Sequence, residues 1–177
     1  MMHEVILHNL KDKFHKRQKS MIRHALKYKH RIDTRLGYNY EVDLNKDYSA
    51  LYEYFLEKCK ESFKKITFTK VKPRCWACLL DKDNRVNVWH HHITSSTINS
   101  VFYLKLAKTE NGIAFNEKDS DKIIPDEFDL LLMKNSLMHK PLLPDNKNDL
   151  RITVNMEVFC KESADEIFNK ENIRLIN

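Results

Sequence analysis

Three consecutive histidines, His90, His91 and His92, head the stretch WHHHITSSTINSVFYLKL between Trp89 and Leu106. In an extended chain, side chains two apart share a face, so His90 and His92 point one way and His91 the other. Two imidazoles on one face are half of a metal site. The third comes from His139, in KNSLMHKPLLP, five residues after the apolar run FDLLLMK. Three neutral imidazoles on one side of an ion leave the opposite positions open for small ligands. Imidazole suits iron, copper, zinc and nickel alike, so these residues define a metal centre without choosing its metal.

Arg151 lies twelve residues beyond His139 and opens the segment RITVNMEV. Strand alternation there puts Ile152, Val154, Met156 and Val158 on one face and Arg151, Thr153, Asn155 and Glu157 on the other. The polar face can meet solvent. It can also line the interior of a barrel, where a guanidinium grips a carboxylate at two points and the Thr153 hydroxyl adds a hydrogen bond. The histidines upstream favour the interior. The four cysteines, Cys59, Cys75, Cys78 and Cys160, include a CWAC sequence. Its flanks, VKPRCWACLLD, are strand-like, and in a strand residues three apart diverge, so Cys75 and Cys78 are read as small buried hydrophobes with reduced thiols.

The elements that must position these groups follow from periodicity. EVILH reads as an edge strand, and Lys11 to about His30 as a loosely amphipathic helix carrying Phe14, Met21, Ala25 and Leu26. RIDTRLGYNYEVDLN is expected to be a loop, with Gly37 at a positive φ. From Lys46 to Lys65, Tyr48, Leu51, Tyr52, Phe55, Leu56, Cys59 and Phe63 form one continuous helical stripe, with Asn45 or Asp47 as N-cap. The segments ITFTKV, RCWACLL, NVWHHH, NSVFYLKL, GIAFNE, DLLLMK and RITVNMEVF then read as strands, DLLLMK being apolar enough to be buried on both faces. DKDNR, KTENG and the long EKDSDKIIPDEFD are the expected turns, and KESADEIFNKENIRLIN is a polar tail with a short closing helix. The sum is a mainly β protein, an antiparallel sandwich or barrel backed by N-terminal helices. It forms a single domain over residues 1–177, with a helical support region over 1–65, a β core over 66–160 and a tail over 161–177.

Composition narrows the class. A chain of 177 residues that is 42% hydrophobic and 32% charged can bury a real core. With two glycines and four prolines, its turns must be built from Asn, Asp and Ser. No apolar run approaches the ~20 residues of a membrane helix, and MMHEVILHNLKDKFHKRQ lacks the marks of a signal peptide. A cytoplasmic protein without membrane contact is expected. The net charge of +6, concentrated between Lys11 and Arg35, is ordinarily a solvated helix face. It supports nucleic-acid binding only weakly, since no aromatic-plus-basic recognition motif accompanies it.

Taken together, WHxHxxxSTINSVFYL, the apolar strand leading to LMHKP, and RITVNMEV resemble the 2-oxoglutarate- and Fe(II)-dependent oxygenases common in bacteriophage genomes. These are relatives of the prolyl hydroxylases with a double-stranded β-helix (jelly-roll, cupin-like) fold. The resemblance spans roughly Arg74 to Phe159, whereas the first 65 residues match only in general character. It implies Fe(II) held by His90 and His139, with His92 where the family usually carries an Asp or Glu. It also implies 2-oxoglutarate bound through Arg151 and Thr153, with Tyr103 and Asn99 as further contacts. The implied reaction uses O2, yields succinate and CO2, and hydroxylates a protein side chain, a nucleobase or a small metabolite in the host cytoplasm if the chain is phage-encoded. Two alternatives stand beside it. One is a three-histidine cupin-type dioxygenase without 2-oxoglutarate, with Arg151 on the substrate's own carboxylate. The other is a non-catalytic jelly-roll binding module.

Overall fold

The structure, a computed structural model, describes residues 4–27, 38–41, 45–69, 74–80, 88–109, 111–145 and 148–174. A six-stranded antiparallel sheet dominates it. Its strands, in chain order, are β1 (Val5–Asn9), β2 (Tyr38–Glu41), β3 (Arg74–Leu80), β4 (Ile98–Lys105), β7 (Asp129–Lys134) and β9 (Arg151–Val158), arranged β1-β7-β4-β9-β3-β2. A smaller sheet of β5 (Ile113–Phe115), β6 (Lys118–Ile123) and β8 (His139–Pro141) has the order β6-β5-β8. An isolated bridge between His90 and His139 adds the histidine segment to its free edge. Two facing sheets in this order are a double-stranded β-helix. The expected fold class is correct.

Alternation along the strands divides the molecule into layers. Ile152, Val154 and Met156 of β9, Phe102 of β4 and Leu130 and Leu132 of β7 face the helices in one large core. There they meet Phe14 and Met21 from α1 (Lys11–Phe14) and α2 (Gln18–Lys27), and Tyr48, Leu51, Phe55 and Cys59 from α3 (Lys46–Ser62). The intervening residues, including Tyr103, Leu131 and Met133, face the smaller sheet and pack on Ile113 and Phe115. Leu130 through Met133 are thus buried on both faces, which is why DLLLMK shows no alternation. Asn45 caps α3, its side chain accepting from the Asp47 and Tyr48 amides. α4 (Ala164–Ile167) closes the chain behind a Ser163–Glu166 capping box.

Five expectations need correction. The first helix is two, broken after Phe14 by the turn 15–17. The segment expected as a loop contains β2, which pairs with β3. ITFTKV is no strand within its described part, where Phe68 makes one bridge, to Cys160. NVWHHH likewise contributes one bridge rather than a strand, because the turn at 93–95 ends the pairing at once. EKDSDKIIPDEFD is not all turn. Asn116 and Glu117 adopt φ of 54° and 58°, the tight hairpin geometry that returns Lys118–Ile123 onto β5 as β6. Gly37 and DKDNR lie outside the described residues.

Candidate functional site

The inward residues of the large sheet form ordered rows. Glu157 of β9 pairs with Arg74 of β3 and Asn99 of β4; Asn155 pairs with Trp76 and Val101; Thr153 pairs with Cys78 and Tyr103; Arg151 pairs with Leu80. Opposite them, the Val88–His92 segment, Ile113, His139 and Pro141 complete the wall of a cavity of about 480 Å³. Six residues of strand, about 20 Å, separate Glu157 at one end from Arg151 at the other. The polar face of RITVNMEV therefore looks inward: Arg151, Thr153 and Glu157 are all buried.

The three imidazoles gather at the Glu157 end. Ring centroids lie 4.4 Å apart for His90 and His139 and 5.3 Å for each other pair. One nitrogen from each ring falls within 4.8 Å of the other two. The backbone brings them there: the amides and carbonyls of His90 and His139 exchange two 3.0 Å hydrogen bonds, and the His92 amide donates to the Asn135 carbonyl. His91 points to solvent, as strand parity predicts.

Hydrogen bonding sets the tautomers. Nδ1 of His90 lies 3.0 Å from the Val88 carbonyl and Nδ1 of His139 2.8 Å from the Leu137 carbonyl. A carbonyl only accepts, so each Nδ1 carries the hydrogen and each Nε2 keeps its lone pair. Nδ1 of His92 meets the Glu157 carboxylate at 2.7 Å, with the same consequence when that carboxylate is ionised. Burial pushes the His139 imidazolium down to about 3, with help from the neighbouring His90, and lowers His90 in the same way. These rings stay neutral near pH 7, as metal ligands must be.

At the far end Arg151 is 2% exposed, and its Nη1 donates to the carbonyls of Asn111 and Gly112 at 2.9 and 3.0 Å. A buried guanidinium so anchored is ready to donate to an anionic ligand group. Tyr103 and Thr153 line the wall beside it, and burial holds the Tyr103 phenol neutral, pushed up to about 12. Asn99 is 1% exposed, and its Oδ1 finds no hydrogen-bond partner among the described residues, as expected of a cavity wall completed by a ligand. The donor set thus fits a divalent transition ion at one end and a carboxylate at the other.

Every candidate residue from the sequence lies on this cavity: His90, His92, His139, Arg151, Thr153, Tyr103 and Asn99. Cys75 and Cys78 diverge as expected, Cys75 into the helix-side core and Cys78 into the cavity wall. Burial pushes both thiols up, to about 12 and about 11, so neither is a thiolate. Sequence reasoning placed Glu157 on the correct face but gave it no role, and it missed Arg74 and Trp76. The available signal was the six-residue offset of Glu157 from Arg151, which keeps the two on one side of β9.

No family model matches the chain, and no curated protein matches it. Solved structures do. IDO from Bacillus thuringiensis superposes with a TM-score of 0.59 at 9% identity, covering 91% of this chain and 95% of that one. The viral collagen prolyl hydroxylase of Paramecium Bursaria Chlorella virus-1, in its 2OG complex, gives 0.57 at 11% identity over 88% and 95%. A Pseudomonas putida prolyl-4-hydroxylase gives 0.57 at 9% over 88% and 92%. Likeness at such identities establishes a shared fold, and the chemistry must be argued from the site.

Proposed function

We propose that the protein is an Fe(II)- and 2-oxoglutarate-dependent oxygenase that hydroxylates a C–H bond of its substrate. The observation that carries this reading is the pairing, in one cavity, of three imidazoles with Nδ1 tied to the protein and a buried, anchored arginine beyond them. Two of the structural neighbours named above are prolyl hydroxylases, one in a 2OG complex, which supports it.

On this reading His90, His92 and His139 would hold the iron through Nε2, their rings oriented by Val88, Glu157 and Leu137. Arg151 takes the distal carboxylate of 2-oxoglutarate. The Thr153 hydroxyl and the neutral Tyr103 phenol would donate to the same ligand, and the Asn99 amide lies on the cavity wall at the imidazole end. Leu80, Val101, Ile113 and Pro141 line the space between and exclude water, which strengthens each polar contact. With iron bound, O2 is divided between two products, one atom entering succinate as 2-oxoglutarate loses CO2 and the other entering the substrate as hydroxyl.

The test is aerobic turnover with Fe(II), 2-oxoglutarate and host extract, using protein purified without a histidine tag. Succinate formation and +16 Da products by mass spectrometry are expected. Metal-loaded protein that makes neither would contradict the proposal. One feature favours a second reading: His92 stands where a carboxylate ligand is usual. A three-histidine dioxygenase without 2-oxoglutarate would oxidise an acid held directly by Arg151, and would consume O2 without making succinate.

A further inference from the structure

Glu157 has no part in the scheme above beyond orienting one ring, yet its surroundings are unusually specific. It is 2% exposed and lies on the inward strand face in register with Asn99, its carboxylate set against His92 at the end where the imidazoles converge. Its Oε1 lies 2.7 Å from His92 Nδ1 and accepts from the Ser95 hydroxyl at 2.6 Å. Its Oε2 forms an ion pair with Arg74 Nη1 at 2.6 Å, and Arg74 in turn donates to the Ser95 carbonyl. The backbone is pinned as well: the Tyr52 hydroxyl of α3 donates to the Glu157 carbonyl at 2.9 Å. A carboxylate placed here would be costly to bury without a reason, and Ser95 and Arg74 could be satisfied at the surface without it.

Three neutral imidazoles leave a divalent ion with its full charge, whereas a ligand set with one carboxylate offsets half of it. We infer that Glu157 supplies that missing charge from one ring away, as a positioning residue that fixes the His92 tautomer and, through Nδ1–H, makes Nε2 a more electron-rich donor. The carboxylate meets His92 at Nδ1, the ring nitrogen opposite the one that would face the metal. Arg74 shares the charge and so moderates the effect. The inference rests on the proposed metal centre, but it concerns a residue that centre does not require.

Carboxylates hydrogen-bonded to ligating histidines typically alter metal affinity by about 10–100-fold. Titration of the metal-free protein with Co(II), followed by its visible absorption, reads this without turnover. Glu157→Gln is expected to weaken Co(II) binding about 10–100-fold. Arg74→Gln, at a half-exposed position, is expected to tighten it at least about twofold, because the whole carboxylate charge then bears on His92. A purely structural ion pair predicts weakening in both variants, and that result would overturn the inference. So would Glu157→Gln binding within about threefold of wild type, or Arg74→Gln leaving the affinity unchanged. Should Glu157→Gln fail to fold, the direction of the Arg74→Gln shift decides alone. Wild-type protein that takes up no Co(II) would instead remove the metal centre itself, a separate failure.

Discussion

Each imidazole of the cluster has one nitrogen committed to the protein, which leaves the other three to act together. Removing one ring should therefore do more than remove a third of the binding. His139 is the most buried of the three, so His139→Ala opens a void where the ion would sit and frees the Leu137 carbonyl. Protein purified without a tag is expected to carry close to one equivalent of metal, and His139→Ala background only, by elemental analysis. Arg151→Gln addresses the other end. Losing a buried charge–charge contact costs about 2–5 kcal/mol, so the KM for 2-oxoglutarate should rise about 30-fold or more while Co(II) affinity is unchanged. These residues were legible from sequence because strand parity and the order of three motifs suffice to place them. Glu157 was not, because a carboxylate on a polar strand face looks the same whether it meets solvent or a histidine. Only the register of β9 against Arg74 and Asn99 separates the two.

The elements around the site hold it through a few directional contacts. Asn45 caps the helix that carries Tyr52 and accepts from two amides, so Asn45→Ala should lower stability by about 1 kcal/mol in urea unfolding. His8 joins the edge strand β1 to the end of α3, its Nε2 2.8 Å from the Ser62 hydroxyl. Burial, with the nearby Lys58, lowers its pKa from 6.5 to about 4. Since the unfolded chain takes up this proton first, the contribution of a neutral His8 is fully present above pH 6.5 and is lost as pH falls toward 4. It amounts to something on the order of 3 kcal/mol. The stability of metal-free protein should fall across that window, and His8→Asn should flatten the slope without abolishing it, since His139 is held lower still. α3 and β7 were legible because their apolar residues follow one rule from end to end. β6 was not: KDSDKI has no apolar face, and it becomes a strand because the Asn116–Glu117 turn and the edge of β5 leave it no other course.

For the molecule as a whole, the large sheet serves two layers that can be perturbed separately. Its helix-side face carries the main core, where Phe102 packs edge-on against Phe14 with ring centroids 5.5 Å apart. Phe102→Ala should cost about 3–5 kcal/mol, a large share of the 5–15 kcal/mol typical of a domain. Below its lowered melting temperature, the variant should bind Co(II) as wild type does, because Phe102 faces away from the cavity. Among the described residues no helix is long and apolar enough to cross a membrane. The other face carries the chemistry, and the claim on which the account turns is that a metal and 2-oxoglutarate bind there together, one at the imidazoles and one reaching back to Arg151. Anaerobic addition of Fe(II) and 2-oxoglutarate to the metal-free protein reads both at once. A weak visible charge-transfer band is expected that requires both components and is absent from His139→Ala; a wild-type sample that binds Fe(II) yet shows no band on adding 2-oxoglutarate would contradict joint binding.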